Sequence, residues 1–168
     1  MVGGTGLAAL EAAPVIMIGE GYATADTLSK AIGQPVVSAF DSGNLPHVAR
    51  FLHERFPDKP IITAGDDDLA VKQEYGHNPG REKAEEAAKA VGGHVIFQIF
   101  APGEQSENPK AFTDFNDLAV KGGLGMEAVE RQVWVVVDTV VASHRQAVEQ
   151  SEQQELAQER EQRRAMRR

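Results

Sequence analysis

The stretch "KPIITAGDDD", residues 59–68, joins a short apolar run directly to three consecutive carboxylates. Its apolar part has the length and the β-branched content of a buried strand. Three adjacent carboxylates repel one another and cannot enter a hydrophobic core, so they must lie where the strand ends. One of them could cap a following helix, but a single cap leaves the other two unexplained.

Strand-like and helix-like segments alternate on both sides of this stretch. The other strand-like segments are "PVIMIG" (14–19), "PVVSAF" (35–40) and "HVIFQIF" (94–100), and the helix-like ones are "YATADTLSKAIG" (22–33), "LPHVARFLHERFP" (45–57) and "NPGREKAEEAAKAVGG" (78–93). This alternation predicts an α/β fold, with a parallel four-stranded sheet that carries helices on both faces. Ligands of such sheets bind at the carboxyl ends of the strands, where Glu20 and residues 66–68 fall.

The last third of the chain has a different pattern. "FTDFNDLAVKGG", residues 112–123, predicts a short helix that begins at Asp114. Residues 124–150 predict a C-terminal helix that flanks the core domain of residues 14–123, because strong helix formers surround their Val-rich centre. That centre, "VWVVVDTVV", could instead form an edge strand. Residues 151–168 predict a polar tail, either a solvated helix or a disordered linker.

Composition restricts the classes of function. The 168 residues include no cysteine, which excludes disulfides and thiolate metal sites and favours a cytoplasmic location. No apolar run approaches the roughly 20 residues of a membrane span. The net charge of −8 indicates a protein that either avoids polyanions or meets them through bound cations.

The aspartates after the third strand have the chemistry of a site for a hard cation. Asp66 and Asp68 alternate along an extended backbone, so both can face one side while Asp67 faces away. Mg²⁺ prefers oxygen ligands and binds one or two carboxylates together with substrate phosphates. Glu20, between two glycines, could simply favour the following helix N-terminus, or could act as a general base or acid beside metal and phosphate.

Three other residues have both a structural and a functional interpretation. Asp114 could be a helix cap or a third acid that faces the metal. Lys72 and Arg81 could be ordinary surface residues, or they could contact phosphate where "NPGREKA" begins a helix.

The order of these acids, with a glutamate after the first strand, D-x-D after the third and a later aspartate, resembles the Toprim (topoisomerase–primase) family. The resemblance is closest to primases of conjugative plasmids and phages. It is carried by "PVIMIGEGYATADTL", "SAFDSGNLPHVA", "KPIITAGDDD", "NPGREKAEEAAKAVGG" and "FTDFNDLAVKGG", which cover most of residues 14–123.

The resemblance implies a role for each site residue. Glu20 is expected to act as general base or acid in nucleotidyl transfer, or as a metal ligand. Asp66 and Asp68 are expected to hold Mg²⁺ or Mn²⁺, and Asp114 to face the same metal. Arg81 matches the basic residue at the start of the next helix.

Two departures from the family pattern affect the expected site. Thr24 stands where bacterial primases often carry an acid, which bears on the number of metal ions. Residues 69–79, "LAVKQEYGHNP", lengthen the segment after D-x-D, which bears on how nucleotide or template is held.

The first functional hypothesis is therefore the Toprim domain of a DNA primase that makes RNA primers on single-stranded DNA from ribonucleoside triphosphates, within a larger primase or mobilisation protein of a plasmid. The alternatives are a Toprim-type nuclease and a non-catalytic Toprim module that binds DNA or a partner in a relaxase or mobilisation protein.

Overall fold

A parallel four-stranded sheet forms the centre of the computed structural model, which describes residues 6–166. The strands lie in the order β2-β1-β3-β4 and are all parallel where they pair. They are β1 (Ile16–Gly19), β2 (Val36–Ser38), β3 (Ile61–Ala64) and β4 (His94–Ile96). The central pair, β1 and β3, is buried at every position, which explains the unbroken apolar runs in the sequence.

Helices cover both faces of the sheet, as the alternation of segments predicts. They are α1 (Leu7–Ala12), α2 (Tyr22–Ile32), α3 (Leu45–Arg55), α4 (Leu69–Tyr75), α5 (Pro79–Ala90), α6 (Glu104–Glu107), α7 (Phe115–Val120) and α8 (Gly125–Ala165). One face packs against α2, α7 and α8, and the other against α1, α3 and α5. The predicted α/β fold with a C-terminal helix is confirmed.

The last strand is shorter than the sequence pattern predicts. Its apolar run extends to Phe100, but β4 ends at Ile96, because β3, the one strand it pairs with in the described part of the chain, ends at Ala64. Beyond it, the backbone N–H of Ile99 donates to Gln132 Oε1 at 2.9 Å, and Gln132 Nε2 donates to the Ile99 carbonyl at 2.9 Å. The side-chain amide of α8 thus takes the place of a neighbouring strand.

The Val-rich segment is helical, not an edge strand. Val129, Val133, Val137 and Val140 follow one another at helical spacing and are all buried against the sheet. The helix α8 continues without a break across residue 150, and the side chains described for residues 151–163 are exposed. The proposed boundaries at residues 123 and 150 stay predictions. Within residues 6–166, no helix is apolar over enough of its length to cross a bilayer.

Candidate metal centre at the carboxyl edge of the sheet

Glu20 and Asp66 lie side by side at the carboxyl edge of the sheet. The last residues of their strands, Gly19 and Ala64, are register partners, so the residues that follow leave the sheet at the same edge. The backbone N–H of Asp66 donates to Glu20 Oε2 at 3.2 Å. Gly19 favours this close approach, because a Cβ at that position would lie 3.0 Å from the backbone nitrogen of Ala25, tighter than most side-chain contacts.

Asp66 has the most perturbed carboxylate of the site. Burial, followed by the nearby charges of Glu20, Asp114, Asp68 and Asp117, raises the pKa of Asp66 to about 8. Its Oδ1 atom is buried and has no hydrogen-bond partner among the described residues. A buried, unpaired carboxylate oxygen among other acids is electrostatically unfavourable, and a bound cation would compensate it.

The pKa of Glu20 is also raised by its surroundings at this edge. Burial is the largest cause that raises the pKa of Glu20, and the charges of Asp68, Asp41 and Asp114 raise it further, whereas the hydrogen bond from the Asp66 N–H lowers it. Sequence reasoning missed Asp41 as a contributor. Its position just after the β2 segment, at the same edge as Glu20, was the available signal.

Asp114 combines the two roles that the sequence left open. It caps α7, since its Oδ1 accepts a hydrogen bond from the Asp117 N–H at 2.6 Å. Its Oδ2 accepts a second bond from the Thr24 hydroxyl at 3.0 Å. Burial raises the pKa of Asp114, which the bonds from Asp117 and Thr24 partly offset. Its charge also raises the pKa values of Glu20 and Asp66, so the cap lies near the other acids.

The other two aspartates of the triplet bind the start of α5. Asp67 Oδ1 accepts from Asn78 Nδ2 at 2.6 Å, and Asp67 Oδ2 pairs with Arg81 at 3.1 Å. Asp68 Oδ2 accepts from the backbone N–H of Gly80 at 3.0 Å. Asp66 is therefore the one member of the triplet without a side-chain contact to this helix among the hydrogen bonds of residues 6–166.

Asn78 is a structural residue of the site that sequence reasoning missed. It is 5% exposed, and its Oδ1 accepts from the backbone N–H groups of Asp68 at 3.0 Å and Arg81 at 3.3 Å. The available signal was an asparagine directly before a proline at a helix start, a common N-cap arrangement.

Arg81 and Lys72, the two residues predicted to contact phosphate, have different neighbours in the structure. Arg81 pairs with Asp67, and its guanidinium lies over the Phe97 ring, 3.9 Å from the centroid. The first N–H groups of α5, which were expected to favour an external anion, bind Asp68 and Asn78 instead. Lys72 is exposed on α4. Contact of Lys72 and Arg81 with phosphate stays a prediction.

The potential ligand atoms at this edge suit Mg²⁺ or Mn²⁺, because they are all carboxylate oxygens and include Asp66 Oδ1, which has no hydrogen-bond partner among the described residues. Among residues 6–166, however, no three histidine, cysteine or carboxylate side chains already surround one point closely enough to hold an ion. The carboxylates thus share an edge and influence one another's pKa without being assembled as ligands.

Comparison of the sequence with known proteins shows which family the chain resembles. The Toprim domain family matches residues 15–125. A DNA primase TraC of Escherichia coli is 42% identical over 217 residues, covering 95% of this chain and 20% of that protein. A second protein of that name and organism is 40% identical over 195 residues, covering 84% of this chain. The chain spans 20% and 14% of the length of these two relatives. No solved structure matches the chain.

Proposed function

The chain belongs to the Toprim domain family, and we propose that it is the catalytic Toprim domain of a DNA primase. In this proposal it carries out nucleotidyl transfer that depends on Mg²⁺ or Mn²⁺. The substrates are single-stranded DNA as template and ribonucleoside triphosphates, and the product is an RNA primer for plasmid replication or conjugation. Similarity to two proteins named DNA primase TraC supports this assignment.

The state of Asp66 is the single observation that carries the proposal. Its buried oxygen has no hydrogen-bond partner within residues 6–166, and burial beside four other acids raises its pKa to about 8. Such a group is unfavourable in a domain that binds no cation. A divalent ion there would neutralise phosphate charge and promote attack by a primer 3′-hydroxyl. Asp66, with Glu20, Asp68 and Asp114, would supply the carboxylates that hold it.

Glu20 is suited to move a proton beside that ion. Its Oε2 accepts the Asp66 N–H at 3.2 Å, which fixes the side chain at the sheet edge. Burial and three acidic neighbours raise the pKa of Glu20 towards neutral pH, where a carboxyl group can exchange a proton most readily. We assign it the role of general base or acid for the attacking hydroxyl or the leaving pyrophosphate.

Other domains of a larger protein complete the activity in this proposal. The chain matches only 20% and 14% of its relatives, so most of a protein of that size lies outside it. An acidic chain of net charge −8 is a poor clamp for nucleic acid by itself. We therefore propose that those further domains provide most of the binding to the template DNA.

A primer-synthesis assay tests the proposal. The full chain, and the longer protein that carries it, are incubated with single-stranded DNA, ribonucleoside triphosphates and Mg²⁺ or Mn²⁺. We expect Asp66→Asn to lower the rate at least about 100-fold, because it removes a charge that should neutralise the ion at the transition state. The matched control Asp58→Asn alters an exposed loop aspartate and should leave the rate unchanged.

The outcome separates primase from nuclease. RNA primers that depend on the template and disappear in Asp66→Asn support the proposal. Template cleavage without primer, lost in the same variant, would assign the domain to the Toprim-type nucleases. Full primer synthesis by Asp66→Asn would contradict the role given to this carboxylate.

A non-catalytic Toprim module, which binds DNA or a partner in a relaxase or mobilisation protein, is the second candidate. One observation favours it: within residues 6–166, no three potential ligands are assembled around one point. Titration with Mg²⁺, followed by the amide chemical shifts of Glu20, Asp66 and Asp68, distinguishes the two. Saturable shifts at these residues support the metal-dependent enzyme, and their absence supports the non-catalytic module.

A further inference from the structure

Two buried threonines of α2 reach across to the segment that begins α7. The Thr24 hydroxyl donates to Asp114 Oδ2 at 3.0 Å, and the Thr27 hydroxyl donates to Asn116 Oδ1 at 3.2 Å. Thr24 is 0% exposed and Thr27 is 4% exposed. They are chemically alike and lie one helical turn apart, but only Thr24 contacts a carboxylate of the candidate metal centre.

The Thr24 bond determines the plane of the Asp114 carboxylate. The other oxygen, Oδ1, accepts the Asp117 N–H at 2.6 Å. That capping bond alone leaves the terminal torsion of an aspartate poorly fixed, because this sp³–sp² rotation has broad minima. A second donor on Oδ2 restricts the rotation, and each oxygen keeps a lone pair for another partner.

The position of Thr24 is itself rigid. The next residue, Ala25, and Leu28, one turn further on, are buried in the core between α2 and the sheet. The backbone that carries the hydroxyl is therefore held in place by the packing of its neighbours, and β-branching restricts the single torsion that positions the hydroxyl. This is the arrangement by which a residue that touches no ligand can orient one that does.

From this geometry we infer that Thr24 is a positioning residue, which orients the Asp114 carboxylate towards an ion shared with Glu20 and Asp66. The inference rests on the proposed function, since it requires a divalent cation at this edge. The Thr24 hydroxyl is neutral, so it adds no charge to the site and acts only through the orientation of Asp114. Because Asp114 is a proposed ligand of the ion, the loss of this hydroxyl should weaken metal binding.

Calorimetric titration of the full chain with Mg²⁺ tests the inference in four proteins: wild type, Thr24→Val, Thr24→Ser and Thr27→Val. We expect Thr24→Val to raise the dissociation constant about tenfold, the effect typical of losing a partner that orients a ligand. Thr24→Ser keeps the hydroxyl and should stay within about twofold of wild type. Thr27→Val loses an equally buried bond, but to Asn116, and should also stay within about twofold.

The comparison separates orientation from general packing. Equal weakening in Thr24→Val and Thr27→Val would overturn the inference, because both would then act through the contact between α2 and α7. Unchanged affinity in Thr24→Val would overturn it as well. If Thr24→Val does not fold, Thr24→Ala removes the same hydroxyl without adding bulk and must show the same weakening. No Mg²⁺ uptake by the wild type itself would refute the proposed metal dependence, which is a distinct result.

Discussion

At the scale of single residues, the decisive difference lies among three identical side chains. Asp66, Asp67 and Asp68 are consecutive, yet Asp67 pairs with Arg81 and Asp68 accepts the Gly80 N–H. Asp66 has a buried oxygen without a hydrogen-bond partner in the described part of the chain, and its pKa is raised to about 8. The sequence predicts an acidic site at this loop, and alternation along an extended backbone separates Asp67 from its two neighbours, but no sequence signal separates Asp66 from Asp68.

The raised pKa of Asp66 predicts how stability depends on pH. Its folded pKa of about 8 exceeds the ordinary value of 3.8, so between these limits the folded state binds more protons than the unfolded state. The stability that protonated Asp66 provides is complete below about pH 4 and is lost as pH rises through 8. Ionised Asp66 therefore destabilises the metal-free domain at alkaline pH.

Asp66→Asn should consequently be more stable than wild type at pH 9 in the presence of a chelator, by about 2 kcal/mol in the free energy of unfolding. The difference should shrink towards pH 5. Urea unfolding across this range measures it, with Asp58→Asn as a control that follows wild type. Mg²⁺ should stabilise wild type and leave Asp66→Asn almost unaffected. A difference that does not depend on pH would show that ionised Asp66 is not destabilising.

At the scale of elements, the first turn of α5 holds the aspartate loop in place. Asn78 caps the helix and also binds Asp67 and the backbone of Asp68. Gly80 lets the loop approach closely, since a Cβ there would lie 2.5 Å from the Asp66 carbonyl oxygen. The local motif "NPG" predicts the helix start, whereas its contact with residues 66–68 depends on how α5 packs on β3.

Exchanging the amide of Asn78 and the carboxylate of Asp67 tests the contact between the start of α5 and the aspartate loop. Asn78→Asp places two carboxylates in contact where Asn78 Nδ2 now donates to Asp67 at 2.6 Å. It should lower the free energy of unfolding by about 2 kcal/mol. Adding Asp67→Asn reverses the direction of the bond and restores the wild-type net charge, so the double variant should recover at least about half of that loss.

Urea unfolding of the four proteins of this cycle gives the coupling energy. Asn108→Asp is the matched control, because Asn108 also directly precedes a proline, but its side chain is exposed and makes no hydrogen bond among residues 6–166. It should change stability by less than about 0.5 kcal/mol. Strictly additive effects of Asn78→Asp and Asp67→Asn would show that the hydrogen bond between these two side chains does not stabilise the domain.

At the scale of the whole molecule, α8 belongs to the core over its first half and is exposed over its second. Val129, Val133, Val137 and Val140 are buried against the same face as α2 and α7. The side chains described for residues 151–163 are exposed. A single helix of 41 residues therefore both completes the domain and extends away from it.

Two truncations separate these halves. A chain that ends at Gln150 loses only exposed positions among those described, so its melting temperature should stay within about 2 °C of the full chain. A chain that ends at Leu124 loses the four buried valines, each worth about 1.5 kcal/mol or more. That loss is comparable to the whole stability of a small domain, so this chain should not fold cooperatively. Circular dichroism during heating measures both, and a stable fold of the shorter chain would contradict the core role of α8.

The amino-acid sequence by itself determined the alternation of the four strands with helices α2, α3 and α5, because that alternation follows from local apolar periodicity and from glycine and proline at the ends of segments. It also determined that Glu20 and the aspartates of residues 66–68 lie at one edge, since parallel strands bring their carboxyl ends together. It did not predict the short helices α1, α4 and α6. Only the tertiary structure decided which acids accept hydrogen bonds from other elements and which one, Asp66, has no side-chain hydrogen bond within residues 6–166. Asp67 and Asp68 are held by residues 10 to 14 positions later, and Asp114 by a threonine 90 positions earlier. Hydrogen bonds of about 3 Å depend on how whole elements pack, and a sequence pattern does not give distances of that precision.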